Sequence, residues 1–352
     1  MAFLFHNAYV LRILSSCFPI GAEVDERLAE LDGLVGKLKG LALEESTKRS
    51  YQTHRKAYLD FCALYALNPV PVSVQQATRY AAYLSKRLAP QSIPKYLNIL
   101  RVLHLEAGLP DPQVMQMFEL KSVLTGYEKL RGLTVHRVTP ITPALLLALR
   151  GTIDFTTVGG ACMWAACLVG FYGLLRKSNL FPSCLKSFNP EKQLTKSDIC
   201  STPWGVEIVV RWTKTVQKKE YVLKVPLLAM PGHPLCPVAA VRAVFILTRA
   251  MPMDGPVFYR EDKKLGLTPI LYKWFLNELR GLLKGLGHDP SEFGSHSFRR
   301  GGASWALHCG LQSDVIKVLG DWKSQAYQAY LEIPVDQKLQ YMRQFSSLIP
   351  GE

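Results

Sequence analysis

The spacing of apolar residues changes partway along this chain of 352 residues. From Ser46 onward apolar side chains recur every three or four positions, which predicts helices. The runs at 207–213 and 221–225 are instead rich in β-branched and aromatic residues, and a polar segment joins them, so they predict a hairpin. Helical spacing returns after Pro237. The sequence therefore predicts a mainly α fold with a small antiparallel sheet, in the α+β class.

Local signals place the ends of the predicted helices. In the first part of the chain these signals are Ser46, Asn68-Pro69, a Ser73–Gln76 capping box, Ser92, Gly108 and Asp111-Pro112 as N-cap and first helical residue. Further on, Thr142-Pro143 starts a helix, and Val158 to Leu175 is apolar on most sides, which predicts a buried helix. The last predicted helices span 237–250, 268–286, 296–309, 313–319 and 324–332.

A polar stretch at 136–141 separates two modules. We predict a leader over 1–24, a helical module over 25–135, this linker, and a larger module over 142–352. No stretch of about 18 apolar residues predicts a membrane span, and the first residues lack the basic start of a signal peptide. The cysteines show no metal-ligand spacing, so neither a metal nor a cofactor is predicted.

The formal net charge of +14 favours an anionic partner, most often nucleic acid. A solvated basic surface, or a scaffold that binds acidic proteins, remains open from charge alone. The residues predicted to contact DNA are Lys48, Arg55, Arg79, Lys86, Arg87, Lys95 and Arg300.

Two arginines and a histidine lie in contexts that suit a bound anion. Arg176 follows the predicted buried helix, and a buried arginine is costly unless an anion pairs with it. His296 and Arg299 lie three positions apart at a helix start, a setting that suits a phosphate. Structural alternatives remain open for each: a salt bridge for Arg176, and a satisfied histidine beside a surface arginine.

Three further residues complete a possible catalytic set. Lys214 lies at a strand exit with Lys218 and Lys219 as rivals, while Trp322 and Tyr330 follow late in the chain. Singly, such residues are more often solvated or part of a core. As an ordered set they match phosphoryl transfer to a side chain, in which a tyrosine attacks, cations and an indole stabilise charge, and an acid protonates the leaving oxygen.

The blocks that carry this set resemble the tyrosine recombinase (phage integrase) superfamily. They are Leu174-Leu175-Arg176-Lys177-Ser178-Asn179-Leu180, Trp212-Thr213-Lys214-Thr215, His296-Ser297-Phe298-Arg299-Arg300-Gly301-Gly302, Leu319-Gly320-Asp321-Trp322-Lys323-Ser324 and Ala326-Tyr327-Gln328-Ala329-Tyr330. The last two blocks are most similar to the Crypton and DIRS-like recombinases of eukaryotic mobile elements. The resemblance covers roughly residues 45–350 and implies a helical core-binding domain followed by a catalytic domain with a C-terminal tail helix.

The resemblance implies a role for each residue of the set. Arg176 and Arg299 would clamp the scissile phosphate, Lys214 would be the general acid, His296 would assist proton transfer, Trp322 would donate its N–H to a phosphate oxygen, and Tyr330 would form a 3′-phosphotyrosyl link.

Two positions depart from the family pattern. Asn179 replaces a common acidic residue, and Asp321 occupies a slot that is often histidine. Tyr330 lies nine positions after that slot, the usual family distance, and is therefore preferred to Tyr327.

The implied function is DNA strand exchange for a mobile element, in the nucleus, on double-stranded DNA. The implied assembly is a synaptic tetramer in which the tail at 335–349 docks on a neighbouring protomer. A tail that packs on its own chain is the alternative. Two further readings keep the fold: a domesticated, catalytically silent DNA-binding protein, and a type IB topoisomerase-like enzyme that acts without synapsis.

Overall fold

The computed structural model describes residues 22–132, 138–213, 222–323, 328, 331, 339 and 342–343. The chain divides into two compact units, Met1–Val135 and His136–Glu352. The described residues are mostly helical with small antiparallel sheets, which confirms the predicted fold class. None of the helices they form is long and apolar enough to cross a membrane.

The first unit is built from helices. They are α1 (Ala22–Leu41), α2 (Glu45–Leu64), α3 (Val74–Ser85), α4 (Ile93–Glu106) and α5 (Phe118–Arg131). Helices α2 to α5 enclose a core that includes Tyr58, Phe61, Tyr80, Leu97 and Leu100. Helix α1 was not predicted, and its side chains from 26 to 41 are all exposed.

Ser73 caps helix α3 as predicted, but half of the capping box is wrong. The Ser73 hydroxyl accepts a hydrogen bond from the Gln76 amide at 3.1 Å. The Gln76 side chain does not reach back to Ser73. It turns inward and donates to the Tyr58 hydroxyl and the Asn68 carbonyl, each at 2.8 Å. Tyr58 is fully buried, and the inward contact of Gln76 with its hydroxyl outweighs the local box.

The predicted helix start at Asp111-Pro112 is wrong, because the helix begins at Phe118. The Asp111 carboxylate accepts from the Gln113 amide at 2.9 Å and from Arg101 Nε at 2.6 Å. Gln113 has a φ of +44°, in the left-handed region. Asp111 therefore stabilises a turn rather than a helix.

The second unit surrounds one buried helix. Its elements are α6 (Pro143–Thr152), α7 (Val158–Tyr172), α8 (Lys177–Leu180), β1 (Ile199–Thr202), β2 (Gly205–Val210), β3 (Leu223–Leu228), α9 (Pro237–Leu247), β4 (Tyr259–Asp262), β5 (Gly266–Pro269), α10 (Tyr272–Gly285), α11 (Ser295–His308) and α12 (Ser313–Leu319). Helix α7 is buried along most of its length, which confirms the prediction from its all-round apolar sequence. It ends at Tyr172 rather than Leu175, since Leu174 adopts a φ of +49°.

The predicted hairpin is present within a larger sheet. Strands β2 and β3 pair antiparallel, with Ile208 opposite Val225, and β1 adds an unpredicted third strand on the far side of β2. Strands β4 and β5 were also missed. The predicted helix cap at Thr268-Pro269 is wrong, because both residues belong to β5.

Two glycines bring α11 close to neighbouring backbone. A Cβ atom at Gly301 would overlap the main-chain oxygen of Ile141, and one at Gly302 would overlap that of Phe171. This confirms the interpretation that Gly301 and Gly302 allow another backbone to approach. The predicted helix at 324–332 and the tail at 335–349 lie largely outside the described residues.

Candidate active site

Three turns of the second unit meet above helix α11. They are the turn after α7 at 173–176, the exit of strand β2 at 211–213, and the turn after α12 at 320–323. Side chains from one turn bond to another turn, as the following contacts show. Predicted site residues that are distant in the chain thereby converge.

Arg299 on α11 ties two of these turns together. Its side chain is buried, and its two terminal nitrogens donate to the carbonyl oxygens of Leu174 and Gly320. Each of these two turns contains one residue with left-handed backbone, Leu174 with a φ of +49° and Asp321 with a φ of +51°. The guanidinium also lies over the Trp322 ring, with Cζ 3.8 Å from the ring centroid. A buried positive charge is thus stabilised by carbonyl dipoles and an aromatic face.

Arg176 is less buried than Arg299. It is the N-cap residue of α8, with extended backbone, and its side chain is 17% exposed. Its Nη2 donates to the main-chain oxygen of Asp321 at 3.4 Å, and Nη1 lies 3.7 Å from Asp321 Oδ2. A planar guanidinium held in this way still presents N–H groups that can bind an anion.

The strand exit before Lys214 is anchored from two sides. The Thr213 hydroxyl donates to Asp321 Oδ2 at 2.5 Å, and the Asn179 side-chain amide donates to the Trp212 carbonyl at 2.7 Å. Asn179, a departure from the family pattern, therefore has a structural role here. Lys214 itself lies outside the described residues, as do its rivals Lys218 and Lys219.

His296 and Arg299 differ in burial although they share helix α11. His296 is exposed in the first turn of the helix, whereas Arg299 is 2% exposed one turn later. Arg300 is also buried, and its Nη1 donates to the Val138 carbonyl at 2.7 Å. That bond joins α11 to the segment that enters the second unit, which is a structural role for a residue predicted to contact DNA.

Trp322 is largely buried beneath the site. Its ring packs in a small cluster with Leu174, Ala303 and Ile316. A groove of about 490 Å³ opens beside it, lined by Leu223, Asp314, Lys317, Val318, Asp321, Trp322 and Lys323. The contacts of Arg176, Arg299 and Trp322 place these predicted residues around Asp321 and its neighbours. Tyr330 and Tyr327 lie outside the described residues.

Two residues at the site were missed as functional candidates. In the sequence, Asp321 differs from the histidine common at its position, and Thr213 stands beside the predicted lysine. Both are buried, and their hydrogen bond spans 108 positions in the sequence. The available signal was a carboxylate placed directly between a glycine and a tryptophan.

The predicted DNA contacts in the first unit fall into two groups. Arg79, Lys86, Arg87 and Lys95 are exposed and form no ion pair with any described residue. Two others are paired: Lys48 with Glu45 and Arg55 with Glu106, each at 2.6 Å.

Arg79 and Lys86 line a groove of about 380 Å³ that is otherwise largely aromatic, with Phe61, Tyr65 and Tyr83 among its residues. Arg87 Cζ lies 5.5 Å from the centroid of the Tyr83 ring. Cationic and aromatic groups on one surface suit a nucleic acid, whose phosphates and bases they can contact.

The described residues contain no group of three or more His, Cys, Asp or Glu that could hold a metal ion. No protein-family model matches the sequence. A search of curated proteins likewise gave no match.

Solved structures do resemble this one. An integrase of the transposon Tn1549, in complex with transposon right end DNA, matches with a TM-score of 0.60 at 15% identity, over 89% of this chain and 98% of that one. A lambda integrase dimer bound to a core site gives 0.55 at 14% identity, over 86% and 94%. A XerH site-specific recombinase bound to difH substrate gives 0.52 at 11% identity, over 80% and 72%. The chain therefore has the tyrosine recombinase fold.

Proposed function

We propose that this chain is a DNA recombinase of the tyrosine class, which cleaves and rejoins duplex DNA through a 3′-phosphotyrosyl intermediate. The observation that carries the proposal is the convergence of Arg176, Arg299 and Trp322, from three distant parts of the sequence, at the turn that contains Gly320 and Asp321. The likeness of the fold to recombinases solved with DNA supports the same substrate.

In the proposed reaction Arg176 and Arg299 have different roles. The partly exposed Arg176 side chain would bind a non-bridging oxygen of the scissile phosphate directly. Arg299 would add positive potential and keep the turns that carry Arg176 and Trp322 in place. Because cations supply the charge stabilisation, the proposed chemistry requires no metal ion.

The covalent steps use residues that the sequence assigns. The Tyr330 oxygen attacks phosphorus, a bond from that oxygen to phosphorus forms, and the bond from phosphorus to the 5′ oxygen breaks. Lys214 gives a proton to the leaving oxygen, and His296 assists removal of the phenol proton. Attack by the 5′ hydroxyl of another strand reverses these changes, so the phosphotyrosyl link conserves the bond energy and no ATP is consumed.

Phosphate contacts would supply most of the DNA affinity. The exposed Arg79, Lys86, Arg87 and Lys95 of the first unit support this, whereas the proposal does not use the buried Arg300. Affinity should fall steeply with salt, because each neutralised phosphate releases counterions. Three finer parts of the proposal rest on the sequence resemblance. They are that the chain serves a Crypton or DIRS-like mobile element, that it acts in the nucleus, and that it forms a synaptic tetramer.

The test is covalent trapping on a nicked duplex pool of randomised sequence, from which the short cleaved strand diffuses away. We expect a protein–DNA adduct that survives denaturation and forms equally well in EDTA. Salt-sensitive DNA binding without an adduct would instead indicate a silent DNA-binding protein. Supercoil relaxation without joining of separate duplexes would indicate a type IB topoisomerase-like enzyme. No duplex binding at low salt would indicate a scaffold for acidic proteins.

A further inference from the structure

We infer that Asp321 is a positioning residue, which orients the Arg176 guanidinium for a phosphate oxygen and is itself fixed by Thr213. This inference rests on the proposed function and adds to it two residues that act through Arg176.

Asp321 contacts Arg176 through both its main chain and its side chain. The main-chain oxygen accepts from Arg176 Nη2 at 3.4 Å, and the carboxylate Oδ2 lies 3.7 Å from Nη1. The Asp321 side chain is 5% exposed, whereas that of Arg176 is 17% exposed. One residue therefore contacts two nitrogens of the guanidinium from within the protein, while the Arg176 side chain keeps some exposure to solvent.

Thr213 fixes the carboxylate from the opposite direction. Its hydroxyl donates to the same Oδ2 atom at 2.5 Å, and its side chain is buried at the exit of strand β2. The carboxylate thus connects the strand exit to the turn that precedes α8. A buried hydrogen bond to a charged acceptor restricts the orientation of that acceptor strongly.

The position is unfavourable for an aspartate on other grounds. A carboxylate next to a phosphate site repels the phosphate, and its burial carries a desolvation cost. The backbone at Asp321 has a φ of +51°, which glycine adopts more readily than aspartate. Electrostatics alone therefore predicts that removing the charge improves phosphate binding. Orientation of Arg176 predicts the opposite, because a misplaced guanidinium loses its in-plane hydrogen bonds to the phosphate.

The first test measures adduct formation by Asp321→Asn, Thr213→Val and Thr213→Ser on the nicked duplex pool. We expect Asp321→Asn to be slower by about 10- to 100-fold and Thr213→Val by about 10-fold, the range that loss of an orienting partner gives. Thr213→Ser keeps the hydroxyl and should cleave at close to the wild-type rate. Asp314→Asn is the matched control, because Asp314 is exposed in the same groove. A rate for Asp321→Asn equal to or above wild type overturns the inference.

A substrate with a methylphosphonate at the scissile position gives a readout that a purely structural role would not change. This group carries no negative charge, so its cleavage depends less on an oriented cation. Arg176→Ala and Asp321→Asn should both recover to within about threefold of wild type on it. An Asp321→Asn defect of equal size on both substrates would show that Asp321 does not act through Arg176.

Thermal melting in the presence of sulfate tests this inference without requiring DNA cleavage. Sodium sulfate, compared with sodium chloride of equal ionic strength, should raise the melting temperature of wild type and Asp314→Asn more than that of Asp321→Asn or Arg176→Ala. A wild-type chain that forms no adduct would end the proposed function, and the melts would still decide on Asp321. A sulfate shift in Asp321→Asn as large as in wild type overturns the inference.

Discussion

The guanidinium of Arg299 lies over the indole ring of Trp322, with Cζ 3.8 Å from the ring centroid, and donates to the carbonyl of Gly320 two residues before that ring. The same guanidinium donates to Leu174, two residues before Arg176. Arg299 therefore links two of the three turns that form the site. Its role in stability and its proposed role in catalysis are linked through one buried charge.

Replacing Arg299 with lysine should destabilise the second unit. Lysine keeps the charge but lacks the planar fork that reaches two carbonyls, so at least one buried charge-assisted hydrogen bond is lost. Such a loss costs about 2–3 kcal/mol, which corresponds to a fall in melting temperature of roughly 5–10 °C for a unit of this size. Calorimetry of Arg299→Lys beside the exposed Arg249→Lys measures it. Equal melting of the two variants would contradict the structural role.

Gly302 should not tolerate a methyl group. A Cβ atom there would overlap the Phe171 carbonyl oxygen, so Gly302→Ala must push α11 away from α7 and should cost about 2–4 kcal/mol. Gly281→Ala is the matched control, since a Cβ at this helical position meets nothing within 4 Å. That variant should gain about 0.5–1 kcal/mol from reduced backbone freedom. Urea denaturation of both variants tests the pair, and destabilisation by Gly281→Ala alone would refute the packing described.

Glu261 should make the stability of the second unit depend on pH. Burial opposes its charge, but hydrogen bonds from the Val158 and Gly159 amides at the start of α7 hold the pKa of Glu261 below its ordinary value. A depressed carboxyl pKa gives stability that is present above the ordinary value and is lost as pH falls through the depressed one.

Glu261→Gln should therefore be less stable than wild type at pH 7, by about 0.5–1 kcal/mol for a partly exposed charge at a helix start, and the difference should disappear as pH falls through the depressed pKa of Glu261. Glu278→Gln is the control, because Glu278 is exposed, lines one groove together with Glu261 and does not bond to the α7 amides. A gap that persists in acid would assign the effect to packing instead.

Lys214 should be distinguishable from Lys218 and Lys219 by leaving-group chemistry. Removing a general acid slows cleavage by about 10²- to 10⁴-fold. A 5′-bridging phosphorothiolate substrate leaves as a thiolate that needs no proton, so it should restore cleavage by Lys214→Ala. Lys218→Ala and Lys219→Ala should cleave both substrates alike. The assignment of Lys214 is wrong if either rival shows the recovery instead.

Local chemistry explains which parts of the fold were predictable. Ser73 and Thr142 cap helices through bonds to amides three positions on, so their signals lie within a few residues. The Asp111 turn depends on Arg101, ten positions earlier on another element, and was misread. Strands β4 and β5 have only four residues each, too few to show a period.

Some residues of the site could likewise be predicted from the sequence, and others could not. Arg176, Arg299 and Trp322 could be selected because their residue types and order match one reaction. The bond between Thr213 and Asp321 joins positions 108 apart, and the local sequence does not show that the two residues are partners. The burial of Arg300 could not be predicted either, because the Val138 carbonyl that accepts its hydrogen bond lies 162 positions away in the sequence.

The central claim is that one late tyrosine becomes covalently joined to DNA. Trapped adduct from the nicked duplex pool is digested with trypsin and nuclease, and the nucleotide-bearing peptide is sequenced by mass spectrometry. We predict phosphotyrosine at Tyr330, loss of the adduct in Tyr330→Phe, and its retention in Tyr327→Phe. An adduct mapped to Tyr327, or one that survives in Tyr330→Phe, would contradict the account.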